Sequence, residues 1–292
     1  NMTLFLYRPP FTLGLSIKSA VLKRLLNIGI PLLVYNFSFI LITMIGRTIV
    51  GMYYPIESMG FYSFANVMSG TAMLAVESVA WITFPTILSR IHEGVDNVTA
   101  TLTLTKIQEL YTTSVFITVF LIILCLPVLF HFLPSYQKAQ KTLNILLLAQ
   151  ALMSLSFGYN CLSIARKKQV AISAISLTSV LAISSFSLVV SNLGLDIKFI
   201  AVSVLVGTLI FNLLQGTFGY YLLNHVWQFN LRRIFPVYSM AAVFLFLLGN
   251  LWGYPALLYS LGVSIFVIGN LQQLKRFYKY CAARWPYPLR YN

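Results

Sequence analysis

The sequence predicts an all-α integral membrane protein of about eight transmembrane helices, and three observations carry that reading. Apolar residues make up 59% of the 292 and charged residues 9%, with a mean hydropathy of +0.83, whereas a soluble domain carries roughly 25% charge. The apolar residues come in continuous runs of about 20, the length an α-helix needs to cross a hydrocarbon core of about 30 Å. The breaks between runs are short and polar, as helix connections in a bundle are. Barrel strands would alternate over about 10 residues, so helices are left as the way to satisfy every backbone group in lipid.

The elements follow in order. Residues 1–26 read as a basic amphipathic juxtamembrane segment, because Ile17, Val21, Leu22 and Leu25 are interleaved with Lys18, Lys23 and Arg24, the pattern of a helix lying on an interface. Asn1 ahead of Met2, with Arg8-Pro9-Pro10 close behind, reads as the middle of a longer protein. The run from Met2 to Leu6 is too short for a signal peptide. A first span at 27–50 stops before Tyr54-Pro55, and a second at 61–88 follows Glu57 and closes on Arg90. The polar stretch 90–108 precedes a third span at 109–132. A fourth, 143–165, lies between the polar stretch 134–141 and Arg166-Lys167-Lys168. The fifth and sixth, 169–191 and 197–223, flank the break at 192–198. Beyond 224–233, the seventh and eighth, 235–251 and 254–273, are parted near Gly253-Tyr254-Pro255.

Cytoplasmic loops accumulate Lys and Arg. Eight spans with both termini in the cytoplasm put sixteen of the 20 basic residues inside, leaving Arg47, Lys138, Lys141 and Lys198. The formal charge of +14 is therefore a topology signal and an attraction to anionic membrane lipids, and nucleic acid is not an expected partner. Cys125, Cys161 and Cys281 are far apart, as are His92, His131 and His225. No metal site, disulfide framework or nucleotide-binding loop is expected, and no cofactor. Asn97-Val98-Thr99 matches a glycosylation sequon, but the topology places it in the cytoplasm.

Chemistry is expected where polar residues enter apolar helices, since each is costly unless it faces a partner or water. On the first span Asn36, Thr43 and Arg47 are spaced by seven and four, which stacks them on one helical face. On the second, Asn66, Gly70, Met73 and Glu77 fall at steps of four, three and four. Both stripes describe the wall of a water-filled cavity, or a helix contact glued by small and polar groups. Glu77 lies deep in its span, where a carboxylate costs roughly 3 kcal/mol; Arg47 is near the end of its helix and can snorkel. Their different depths argue against a direct salt bridge. Gly29, Pro31, Gly70 and Pro85 are candidate hinges, because glycine and proline loosen the helical ladder. The serines of the fifth span and Asn212 and Gln215 of the sixth are further cavity candidates, or packing residues.

Three stretches carry a resemblance: Leu25-Leu26-Asn27-Ile28-Gly29-Ile30-Pro31-Leu32, Gly60-Phe61-Tyr62-Ser63-Phe64-Ala65, and Phe84-Pro85-Thr86-Ile87-Leu88-Ser89-Arg90. They resemble the entry to the second half of polysaccharide flippases of the O-antigen and capsule (exopolysaccharide) type, within the multidrug/oligosaccharidyl-lipid/polysaccharide exporter superfamily. The resemblance covers about the first 95 residues and continues as hydropathy and spacing. It implies a six-helix bundle over 27–230, two extra transmembrane helices and a basic cytoplasmic tail over 231–292, and a missing N-terminal half. It implies alternating access in the bacterial inner membrane, with saccharide repeat units on a polyprenyl diphosphate as the substrate. Arg47 would then be the cation for the diphosphate, and Glu77 the group that couples H+ or Na+ or touches sugar. Many relatives carry an acidic residue before the basic one; here Gly46 stands there, which implies a different cavity charge. The alternatives are a small-molecule (drug) exporter of the same superfamily and a truncated, inactive half-transporter. An enzyme would need a long outer loop bearing catalytic charges, and none is expected here.

Overall fold

The computed structural model describes residues 19–91, 96–224, 237–252, 255–271 and 274–275, and among these there are helices and turns but no strand. The helices are α1 (Ser19–Tyr53), α2 (Ile56–Ile91), α3 (Asn97–Phe132), α4 (Gln140–Met153), α5 (Phe157–Ala165), α6 (Gln169–Asn192), α7 (Ile197–Asn224), α8 (Val237–Trp252) and α9 (Pro255–Gly269). Two 3₁₀ turns, Pro134–Ala139 and Ser154–Ser156, lead into and interrupt the fourth span. Most of the expected juxtamembrane segment and the basic tail lie outside the described residues.

The chain is a multi-pass membrane protein. α1, α3, α6, α7 and the broken element Pro134–Ala165 are each long and apolar enough to cross a bilayer, and α2 joins them if its two arms count as one span. The remaining two expected spans are α8 and α9, apolar but only 16 and 15 residues long.

Local chemistry sets the ends. Asp96 accepts from the Val98 amide at 3.2 Å to cap α3, and the helix stops where Pro134 cannot continue it. α6 ends in a Schellman turn. Leu195 N–H reaches the Val190 carbonyl and Gly194 N–H the Ser191 carbonyl, with Gly194 at φ +63°. α5 ends the same way on Lys167 at φ 53°, so the three cations 166–168 sit at the negative end of a helix dipole.

The Pro134–Ala165 element forms the centre of the bundle, held by α7 on one side and α2 and α3 on the other. Its backbone break needs partners, since buried carbonyls are costly when unmet. Gln108 Nε2 donates to the Leu155 carbonyl at 2.9 Å, and Asn212 Nδ2 to the Leu152 carbonyl at 2.8 Å. Gln215 Nε2 donates to the Tyr159 carbonyl and to Ser163 Oγ, at 3.2 and 3.0 Å. Asn212 and Gln215 are thus buried latches on the central helix and line none of the three spaces described below. Ser176, Ser179, Ser184 and Ser185 of α6 bond back to carbonyls of their own helix, Ser187 Oγ is buried without a partner, and the small serine side chains let α6 pack closely against α1.

The candidate hinges find a different outcome. The α2 axis turns by 44° between Ile56–Leu74 and Val76–Ile91, downstream of Gly70 and well upstream of Pro85, so neither residue marks the bend. α1 continues as one helix through Gly29 and Pro31, where the Ser173 hydroxyl lies against the Pro31 carbonyl. α8 and α9 form a hairpin in which Phe246 stacks on Tyr259 at 4.6 Å, and Phe120 of α3 binds it to the bundle, stacked on Phe246 at 4.7 Å and met edge-on by Phe266 at 5.0 Å.

Candidate functional site

The largest space among α1, α2, α3 and the fourth span is a cleft of about 430 Å³. Each wall comes from a recognisable periodicity. α1 contributes Leu32, Tyr35, Asn36 and Phe39, one face at helical spacing. α2 contributes Met73 just before its bend and Glu77, Ala80, Trp81 and Phe84 from the arm beyond it. Tyr111 closes the α3 side, its ring 4.5 Å from that of Phe157. The broken span supplies Gln150 and Met153 before its 3₁₀ turn, Ser154 at the turn, and Asn160 and Cys161 after it, so the interruption lets one span present two sets of groups to one space.

The polar groups are underused by the protein. Among the described residues Glu77 makes no hydrogen bond or ion pair and is half-buried, with Tyr111 within its electrostatic reach. The Gln150 side chain likewise has no partner among them. Asn36 donates to its own helix at Leu32, 2.9 Å away. Asn160 donates to Ser156 Oγ at 3.2 Å, while its Oδ1 is buried without a partner. The aromatic groups surround these: Tyr35 and Phe39 with centroids 6.1 Å apart, and Trp81 and Phe84 at 6.0 Å. Trp81 is 70% exposed and stands at the mouth.

A second, smaller space of about 10 Å³ has room for about one water. Thr43 and Asn66 line it, and Gln150 and Met153 line both spaces. The two sequence stripes therefore converge: Asn36 and Glu77 on the cleft, Thr43 and Asn66 on its narrow extension. Arg47 does not join them. It lies one turn beyond Thr43 toward Tyr53 and lines neither space, because the cleft ends along the α1 axis before that turn is reached. The described residues contain no Arg47–Glu77 ion pair, in keeping with their separate depths. No Lys or Arg is among the cleft's lining.

Gly46 has its own reason to be glycine. A Cβ there would fall 2.1 Å from the Tyr62 hydroxyl, and Tyr62 is fully buried. An acidic side chain at 46 has no room.

Sequence reasoning passed over Gln150, Asn160 and Tyr111. The signal was present: Gln150, Met153, Ser154, Phe157, Asn160 and Cys161 repeat at i, i+3, i+4, i+7, i+10 and i+11, a helical stripe of the same kind as those on α1 and α2.

Residues 1–107 match the model of a family described as polysaccharide biosynthesis protein. No curated protein and no solved structure matches the chain. The matched segment contains α1, α2 and the start of α3, and so Asn36, Glu77 and Trp81. At the level of that family, the match bears out the resemblance read from residues 25–32, 60–65 and 84–90.

Proposed function

We propose that the chain is the second half of a transporter that flips polyprenyl-diphosphate-linked oligosaccharide repeat units across the bacterial cytoplasmic membrane by alternating access. The cleft between α1, α2 and the broken span takes the saccharide. The observation that carries this reading is an unpaired intramembrane carboxylate set beside the unpartnered Gln150 side chain, the unmet Asn160 Oδ1 and aromatic faces in one cleft. A sugar offers hydroxyls, which a carboxylate and carboxamides accept and donate to, and apolar C–H faces, which rest on aromatic rings. An ionised side chain in the membrane interior costs roughly 2.5–3.5 kcal/mol, and such an expense is retained where substrate or a coupling ion repays it. The match to a polysaccharide biosynthesis family over the residues forming two of the walls supports the same reading. The diphosphate is met outside the cleft, which has no basic lining residue, with Arg47 beyond its end. No catalytic residue or cofactor is invoked. Coupling to H+ or Na+ is assigned to Glu77, both termini to the cytoplasm, and closure of the Trp81 mouth to an N-terminal half of the transporter.

One observation favours a second reading, export of organic cations: Glu77 is the charge of a cleft walled by aromatics, where a cation is held by both. Replacing Glu77→Gln separates the two. In a strain whose surface glycan depends on this protein, we expect export to fall by roughly tenfold or more, the worth of a hydrogen bond to a charged group, with unchanged protein in the membrane and partial activity for Glu77→Asp. Loss of cationic-dye efflux with normal glycan would favour the second reading. Full activity in both assays would remove Glu77 from the mechanism.

A further inference from the structure

A larger cleft, about 610 Å³, lies apart from the proposed substrate site, between α3, α4 and the α8–α9 hairpin. Every wall is a helix end on the same side of the bundle. Pro127 is in the last turns of α3, Gln140 and Lys141 open α4, Asn250 is near the end of α8, and Tyr259 is near the start of α9. The saccharide cleft is built instead from the opposite halves of α2 and α3. The two spaces therefore sit toward opposite membrane surfaces.

The chemistry is graded along the membrane normal. Lys141 is exposed at the mouth with no acidic partner among the described residues. One turn deeper, Asn144 is buried and spends both amide hydrogens, on Asn250 Oδ1 at 2.8 Å and on the Tyr259 hydroxyl at 2.9 Å. Tyr259 thereby accepts a hydrogen bond, and its own proton has no acceptor among the described residues. Deeper still the wall is apolar, with Ile123 buried and Leu124 45% exposed on a helix whose neighbouring positions Leu121 and Val128 also face outward. A cation at the surface, a free hydroxyl donor beneath it and an apolar trough opening sideways form a site for an amphiphile with an anionic head.

We propose that this cleft binds one phospholipid with an anionic headgroup, its phosphate on Lys141 and Tyr259 and an acyl chain along Ile123, Leu124 and Pro127. A soluble anion would not use the apolar trough, and a zwitterionic lipid would not use an unpaired lysine. This assignment is independent of the substrate reading above.

The test uses the full chain, reconstituted in vesicles of phosphatidylcholine with or without phosphatidylglycerol, then extracted in mild detergent and weighed by native mass spectrometry. One phosphatidylglycerol should remain bound per chain, with phosphatidylcholine retained less. Loss of one lysine near a headgroup should lower retention about fivefold in Lys141→Ala and further in Lys141→Glu, an exposed position where folding is not at stake. Lys138→Ala, at an exposed lysine already paired with Glu57 at 3.2 Å, should retain the lipid. Equal retention of both lipids, or retention indifferent to Lys141→Glu, overturns the proposal. So does displacement of the lipid by millimolar inorganic phosphate, or preferential retention of a polyprenyl phosphate supplied in the same vesicles.

Discussion

Gly46 and Tyr62 show how far a single position constrains this molecule. With 2.1 Å between the would-be Cβ and the phenol oxygen, Gly46→Ala forces a fully buried ring to move, and overpacking of this kind costs about 1–3 kcal/mol. We predict a lower unfolding midpoint for Gly46→Ala in detergent and partial recovery on adding Tyr62→Phe, which removes the nearest atom and also a buried hydroxyl that has no partner. Equal midpoints for wild type and Gly46→Ala would show that the ring yields freely. At this scale the sequence was informative where polar residues repeated on one helical face: Asn36, Thr43, Asn66 and Glu77 all reach the cleft or its extension. It was uninformative about Arg47, because periodicity reports the direction of a side chain and not where along the axis a cavity ends. Tyr62 could not be anticipated as the partner of Gly46, since the contact joins two helices.

Among the elements, the interrupted fourth span distinguishes the fold. Two amides from other helices, Gln108 and Asn212, donate to carbonyls at its break, so the break is held rather than frayed. Asn212→Leu should leave the Leu152 carbonyl short of a donor and lower stability by about 1 kcal/mol, the modest value that membrane hydrogen bonds show. An unchanged melt would mean that the 3₁₀ turn satisfies itself. Element positions were largely legible, because each apolar run became a helix. The ends were not. α3 begins at Asn97 rather than 109, since hydropathy sees only the apolar part, while Asp96 caps the helix and Thr101, Thr103 and Thr105 bond to carbonyls one turn back. The break at Ser154–Ser156 and the bend between Leu74 and Val76 contain no proline or glycine, so no local signal announced either.

For the whole molecule, α1 and the Val76–Ile91 arm of α2 leave much apolar surface exposed. Leu25, Leu33, Phe37 and Ile40 on α1 and Trp81 and Ile82 on α2 are each more than half exposed. In lipid that costs nothing, and it leaves the saccharide cleft open along the side where Trp81 stands. The overall class followed from composition, and the helix order from hydropathy. The meeting of α1, α2 and the broken span around one space depended on tertiary packing and could be read only from the structure. The central claim is that this space receives the saccharide, and Asn36, an exposed residue of its wall, offers a position for a probe. In a background with Cys125, Cys161 and Cys281 replaced by serine, maleimide labelling of Asn36→Cys should be several-fold slower in membranes loaded with the lipid-linked oligosaccharide than in membranes lacking it. The same rate in both would contradict the account.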